Sequence, residues 1–434
     1  MKINKFTSAL IALGVVSLAS AAQANTVIYL TGSTAARSLV AAALDTPGAV
    51  FTGAVSVLPS GTTTGANQVV FEGNITGLGT VDIDCSWSGS EAGIANVAGS
   101  TISQNVNGGT YALPGSPASF LTPPSFTSAA TVAQADLAMA DTSQAVSLTL
   151  KSVYAEHDFG LVGIVPFTFV KGFNSTGGAD DSYTNLVNVT TAEINQNLSG
   201  PLQANIYTGN AADSDFVYVV GRNEGSGTRV NTLLNAASFP VGNAVDQSAY
   251  DVSYPSGTPG TLTFGGSYAS GQTIADVGND GFDAGSGVAE EMQVDGTASG
   301  NILVGYLGVS DAKNATTLSK FATGAKGVYL TFNGVYEGDQ SVIQGNYSYW
   351  GQEHLFGQKT PNSTDLQIGN SLFTAIQNVL TAAGGSVTGT AAGGAALGNV
   401  STNPSQSIVI PTVLMQVGRT TDSGFPQQGG TFTN

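Results

Sequence analysis

Residues 216–234 read FVYVVGRNEGSGTRVNTLL: a β-branched and aromatic run, a glycine-rich polar turn, then a stretch with helical spacing. The run from Phe216 to Val220 suits a strand, and Ser226 is a good helix N-cap ahead of a helix that the pattern carries through Leu234. The same strand, turn and helix order recurs earlier in the chain. Val27 to Leu30 ends at Thr31-Gly32-Ser33-Thr34, and Ala35 to Leu44 then reads as a helix. Val81 to Asp84 feeds Ser86-Trp87-Ser88-Gly89-Ser90 and a helix start near Glu91. Ala135 to Ala140 ends at Asp141-Thr142-Ser143, Leu161 to Val170 is a nearly unbroken apolar run suited to a strand buried on both faces, and Thr191 to Leu198 is helical. Strands alternating with helices predict an α/β fold with mostly parallel sheets. No repeat of fixed period interrupts that order.

Composition bounds the chemistry. The chain has 434 residues, of which 41% are apolar and 9% charged, enough to bury a core in one large domain or two lobes. A formal charge of −17 opposes phosphodiester backbones and anionic lipid heads, so nucleic acid is not an expected partner. Two His and one Cys leave too few ligands for a zinc or iron–sulfur cage and no pair for an intramolecular disulfide. Cys85 is expected to be a small buried apolar residue. No metal or other cofactor is expected, and binding must use oxygen, backbone amides or the few arginines.

The first 24 residues have the form of a secretory leader. Lys2 and Lys5 precede an apolar run from Ala9 to Leu18, and Ala22-Gln23-Ala24 supplies the small residues before a cleavage point. The run is short of the ~20 apolar residues a spanning helix needs. A mature chain from Asn25, periplasmic or secreted and without a lipid anchor, is expected; losing two lysines and no acid takes its formal charge from −17 to −19. The segments Ala98 to Thr131 and Ala236 to Gly287, rich in Gly, Ser and Pro, read as surface insertions, and Ala382 to Gly398 as a low-complexity loop.

Four of the turns end a strand, carry Ser or Thr, and open a helix. Helix N-termini present unpaired N–H groups and partial positive charge, and hydroxyls add donors, so such turns can hold a small oxyanion. Each is equally an ordinary N-cap. Arg222, one of few basic residues, lies four positions before Ser226-Gly227-Thr228, where its fork could pair with an anion; its alternative is a salt bridge to Glu224 or another surface acid.

Arg222-Asn223-Glu224-Gly225-Ser226-Gly227-Thr228 resembles the R-x-[DE]-G-S-G-T signature of the periplasmic phosphate-binding proteins that serve ABC importers. Thr31-Gly32-Ser33-Thr34 resembles that family's first phosphate loop, Ser88-Gly89-Ser90-Glu91-Ala92-Gly93 its second, and Ala135 to Asp141 the strand ending in the aspartate that reads the ligand's proton. Gly305-Tyr306 and Tyr347-Ser348-Tyr349-Trp350 resemble later family strands. The resemblance implies a two-lobed type II periplasmic-binding fold with inorganic phosphate in a cleft between lobes. It implies a first lobe of residues 25–162 plus 351–434 and a second of 163–350. Ser33 and Thr34 would donate through hydroxyl and amide, Ser90 would donate at the second helix start, and Asp141 would accept the phosphate proton. Arg222, Ser226, Gly227 and Thr228 would come from the second lobe. An importer permease would be the partner of a monomer. Glu91 stands where the family usually has Gly and is expected to point outward on the first helical turn.

Two other classes compete. One is a secreted surface or matrix protein that keeps the fold and uses its insertions for adhesion or assembly. The other is a hydrolase, but Gly89-Ser90-Glu91-Ala92-Gly93 fits the G-x-S-x-G elbow poorly, and the only candidate bases are His157, expected at the surface, and His354, expected at a helix start. No nucleophile with an activating base emerges, so an enzyme is not expected.

Overall fold

The chain is described by a computed structural model over residues 25–58, 68–87, 89–98, 134–146, 156–174, 181–240, 247–253, 273–276, 278–279, 281–293, 301–317, 326–382, 407–419 and 426–428. The leader and its cleavage point, Ser88, nearly all of the 98–131 and 382–398 segments and part of 236–287 lie outside the described residues.

Eleven strands make one mixed sheet: β1 (Thr26–Gly32), β2 (Ser56–Leu58), β3 (Gln68–Ile75), β4 (Gly79–Ser86), β5 (Leu137–Ala140), β6 (His157–Lys171), β7 (Leu202–Gln203), β8 (Phe216–Val220), β9 (Asn301–Gly308), β10 (Val328–Tyr329) and β11 (Trp350–Gly357). The order is β2-β3-β4-β1-β5-β11-β6-β9-β8-β7, with β10 also on β6. The helices that matter for the site are α1 (Arg37–Asp45), α2 (Ser90–Val97), α3 (Thr191–Asn197), α4 (Gly227–Asn231), α5 (Gly285–Glu291), α6 (Val309–Thr317) and α7 (Ser363–Ala382).

The long strand β6 divides this sheet. Its first part, His157 to Pro166, pairs with β11, while Phe167 to Lys171 pairs with β9. One half of the molecule therefore carries β1 to β5, β11 and the start of β6; the other carries the end of β6 with β7 to β10. Within each half, parallel pairs follow the expectation: β1 lies between β4 and β5, and β8 beside β9. The expectation of mostly parallel sheets is corrected: β5–β11, β11–β6 and β6–β9 at the centre are antiparallel, and so are β2–β3, β3–β4, β7–β8 and β6–β10. A chain that leaves one half through β6 and returns through an adjacent β11 has to run in opposite directions in the two strands.

Burial explains why these segments fold as they do. Ile28 and Leu30 of β1 pack with Leu39, Val40 and Leu44 of α1, and α7 lies against α1 with Ile368, Leu372 and Ile376 buried. From Leu161 to Lys171 every residue of β6 is buried, as a strand covered on both faces requires. Thr190 and Glu193 close a capping box on α3. The helix read through Leu234 is α4 followed by a π-helical turn, Thr232–Ala236, where the Thr232 hydroxyl donates to the Thr228 carbonyl at 2.7 Å. Cys85 is buried and free. The 236–287 segment is more than a surface insertion: Gln247, Ala249 and Tyr250 are buried.

Buried acids are expected to make the fold less stable as pH rises. Asp84 has no hydrogen-bond partner on either oxygen among the described residues, and burial, reinforced by Asp82, pushes its pKa to about 7. Burial likewise raises Asp136 to about 6 and Asp339 to about 7. A carboxyl whose folded pKa exceeds its unfolded value of 3.8 stabilises most fully when both states are protonated, and that stability is lost as pH rises from about 4 to 7. Urea midpoints are expected to fall from pH 4.5 to 8, with Asp84 contributing about 2–4 kcal/mol of the change. Asp84→Asn should flatten that part of the slope; a parent protein that gains stability over the same interval would refute the assignment.

Candidate functional site

Glycines bring the turns together. Gly32 ends β1 at φ +110°, and a Cβ there would lie 1.9 Å from the Met139 carbonyl oxygen. The amide of Ser33 donates to that carbonyl at 2.7 Å, which fixes the first turn beside β5. Gly93 of α2 rests on Gly32, where a Cβ would come within 2.7 Å of the Gly32 Cα, and the Gly89 amide donates to the Gly32 carbonyl. The first two turns and the end of β5 therefore share one place at the carboxyl edge of the sheet.

The other half of the molecule meets them there. The Ala92 amide, in the first turn of α2, donates to the Gly225 carbonyl at 3.3 Å. Gly227, which opens α4, sits so close that a Cβ would lie 1.7 Å from Asp141 Oδ1 and 2.6 Å from Ser90 Oγ. Ser90 Oγ donates to Asp141 Oδ1 at 2.7 Å and accepts from the Asp141 amide at 3.1 Å. Asn231, one turn along α4, donates through Nδ2 to the Asp141 carbonyl at 3.0 Å. Ser90, Asp141 and Gly227 form the centre of the arrangement, and all three are buried.

Arg222 approaches from the end of β8. It is buried, and its Nε and Nη2 donate to the carbonyls of Phe282 and Asp283 at 2.9 and 2.7 Å. Its amide donates to the Tyr306 hydroxyl, which in turn donates to Gln247. Both arms, Nε and Nη2, take backbone carbonyls rather than a carboxylate. Burial lowers the guanidinium pKa, while Asp311, Tyr306, Asp141 and Asp283 act to raise it. Among the described residues, Nη1 receives no hydrogen-bond acceptor, so one arm of the fork stays uncommitted. Arg37 at the start of α1 spans the two halves to Asp311 of α6, with Nη2 3.9 Å from Oδ1.

The remaining predicted residues divide. Ser226 caps α4 by accepting from the Arg229 amide at 3.3 Å, the ordinary role of such a residue. Thr34 and Thr228 are buried, and neither hydroxyl bonds to a described residue. Ser33 Oγ donates to Glu353 Oε2 at 3.1 Å, and with its amide on Met139 both Ser33 donors are engaged.

Three expectations are corrected. Glu91 is buried rather than outward, because the Thr142 hydroxyl donates to its Oε1 at 2.8 Å. His354 lies within strand β11, not at a helix start; it stacks on Phe356, and its Nδ1 is 3.2 Å from Asp158 Oδ2. His157 is half-buried, edge-on to Phe159.

Glu353, Asn231 and the Phe282-Asp283 carbonyls belong to the site but were not read from sequence. Only Glu353 carried a signal: it and His354 are the two ionisable residues in the run Trp350–Gly357. Burial first, then Asp141, pushes its pKa well above the usual range, with Ser33 and His354 opposing. Among the described residues no group of three or more His, Cys, Asp or Glu is disposed to hold a metal, and no helix is long and apolar enough to cross a membrane.

No family model and no curated protein matches the chain. Solved structures with a similar course include a candidate phosphate ABC transporter substrate-binding protein of Clostridium perfringens with phosphate bound (12% identity, 82% of this chain and 93% of that one, TM-score 0.38). An ABC-type phosphate transport receptor of Vibrio cholerae (10%, 80% and 93%, 0.38) and PstS of Borrelia burgdorferi (11%, 80% and 92%, 0.34) are similar to a comparable degree.

Proposed function

We propose that this chain is an extracytoplasmic solute-binding protein that captures inorganic phosphate between its two halves and hands it to an ABC importer. The observation that carries the reading is the meeting of Ser90, Asp141 and Gly227 from opposite halves, flanked by donors with no hydrogen-bond partner among the described residues: Arg222 Nη1 and the hydroxyls of Thr34 and Thr228. Such donors suit a small polyoxygen anion better than an apolar or cationic ligand. On this reading the lobes are residues 25–162 with 351–434 and residues 163–350. The leader is cleaved after Ala24, and the mature chain works as a monomer.

Asp141 supplies the discrimination. An ionised carboxylate only accepts hydrogen bonds, so it meets the P–OH of a protonated phosphate, whereas fully ionised sulfate sets lone pair against lone pair in a desolvated site. Asp141→Asn puts a donor in place of one acceptor oxygen and is expected to narrow the phosphate-over-sulfate ratio at least tenfold, about 1.4 kcal/mol. Calorimetric titration of both anions into parent and variant at one pH reads that ratio. An unchanged ratio would remove Asp141 from the ligand shell, and no heat from either anion in the parent would refute the phosphate reading itself.

A further inference from the structure

Two serine hydroxyls and two carboxyls alternate at the junction. Ser90 donates to Asp141, and Ser33 donates to Glu353. Each hydroxyl has one proton to give, so in this arrangement both are spent on the protein's own acids. Glu353 is fully buried on β11; its Oε2 accepts from the Ser33 hydroxyl at 3.1 Å, and its Oε1 has no hydrogen-bond partner among the described residues. An anion arriving at Ser33 meets an oxygen lone pair. Turning the hydroxyl toward the anion would strip a buried carboxylate of its one hydrogen bond, a costly step unless the acid is neutralised.

We propose that Glu353 is a positioning residue for Ser33, taking up one proton when the oxyanion binds so that the Ser33 hydroxyl turns from the protein to the ligand. The proposal rests on the phosphate reading above. With its proton on, Glu353 becomes a donor to Ser33 Oγ, and the Ser33 O–H is released to the anion.

The surroundings select Glu353 over Asp141 as the proton acceptor. Asp141 lies within the field of Arg222 and keeps a hydroxyl from Ser90. Glu353 faces Asp141 from the turn after β5, and its neighbour His354 is held by Asp158 of β6. From α2, packed against β11, comes a further acid, Glu91, bonded to Thr142. The first turn offers Ser33, which has no charge. The balance around Glu353 is acidic, so the further negative charge of the incoming anion tips it from the carboxylate to the neutral acid.

The mature protein and its Glu353→Gln variant are titrated calorimetrically with inorganic phosphate at pH 6, 7 and 8, in paired buffers of different ionisation enthalpy. The glutamine amide donates to Ser33 Oγ as the protonated acid would. The proton equilibrium of phosphate is common to both proteins and cancels in the difference. The parent is expected to take up as much as one proton more per phosphate than the variant. Its affinity relative to the variant should fall as pH rises, by up to tenfold per unit above the titration of Glu353. Equal proton uptake with parallel pH profiles overturns the proposal and leaves the phosphate reading standing. No binding heat in either protein at any pH overturns both. The same pair in a Ser33→Ala background separates the hydroxyl route from plain repulsion between Glu353 and the anion. The proton difference should vanish there, and its persistence overturns the role assigned to Ser33.

Discussion

Replacing Arg222 by alanine is expected to cost fold stability as well as phosphate affinity. From sequence, a lone arginine beside a helix start suggests a variant that folds normally and binds weakly. The structure changes that expectation, because two arms of the guanidinium hold the carbonyls of Phe282 and Asp283. Removing them takes the side-chain donor from the Asp283 carbonyl and one of two donors from the Phe282 carbonyl, which keeps the Asn223 amide, and opens a void where a buried side chain stood, for about 2–4 kcal/mol of stability. The third arm, Nη1, is the one left for an anion, and losing a charge-assisted bond weakens binding by about 1.5–3 kcal/mol. Arg222→Lys tells the two effects apart. An ammonium keeps the charge but cannot reproduce the planar fork, so affinity should recover further than stability. Urea midpoints and phosphate titrations of both variants check this; an alanine variant as stable as the parent would show that the Phe282 and Asp283 contacts contribute nothing.

What was legible in the sequence was local. The strand from Phe216 to Val220, the Gly-rich turn and the cap at Ser226 depend on neighbouring residues, and each falls where the pattern put it. The turns at Ser33, Ser90 and Asp141 could be read for the same reason. What could not be read depends on partners far along the chain. The return strand β11 pairs with β5 across more than 200 residues, so the antiparallel centre of the sheet left no trace in strand and helix alternation. Glu353 entered the site with that strand. Glu91 looked like a surface carboxylate because its Thr142 partner is 51 residues away. The 236–287 segment looked like decoration because its Gly, Ser and Pro content speaks of turns, while it reaches the site through the backbone carbonyls of Phe282 and Asp283, which any residue type supplies, and through Gln247, which donates to the Arg222 carbonyl and accepts from Tyr306.

Gly227→Ala is the sharpest single test of how the halves meet, because two effects of opposite sign are known in advance. In a helix free of neighbours, alanine for glycine is favourable by up to about 1 kcal/mol. Gly227 has no left-handed φ to protect, since it opens α4 with ordinary helical backbone. The penalty comes entirely from across the junction, where the new methyl would lie 1.7 Å from Asp141 Oδ1 and 2.6 Å from Ser90 Oγ. Those two side chains are bonded to each other and buried, so they cannot swing aside cheaply, and the loop of the second half has to retreat. Overpacking of this kind costs about 1–3 kcal/mol. Retreat also pulls Arg222 and Thr228 away from Thr34 and Ser90, so phosphate binding should fall by at least a hundredfold, about 2.7 kcal/mol. Shortening the obstacle restores room: Gly227→Ala combined with Asp141→Ala is expected to be more stable than the sum of the single changes predicts, as residues in direct contact require. That double variant should still bind phosphate poorly and should no longer favour it over sulfate, because the carboxylate that reads the proton is gone. Thermal and urea unfolding of the four proteins in the cycle, with anion titrations alongside, give the result. If the single Gly227→Ala change stabilises the protein, the helix propensity acts unopposed, and the two halves do not meet at Asp141.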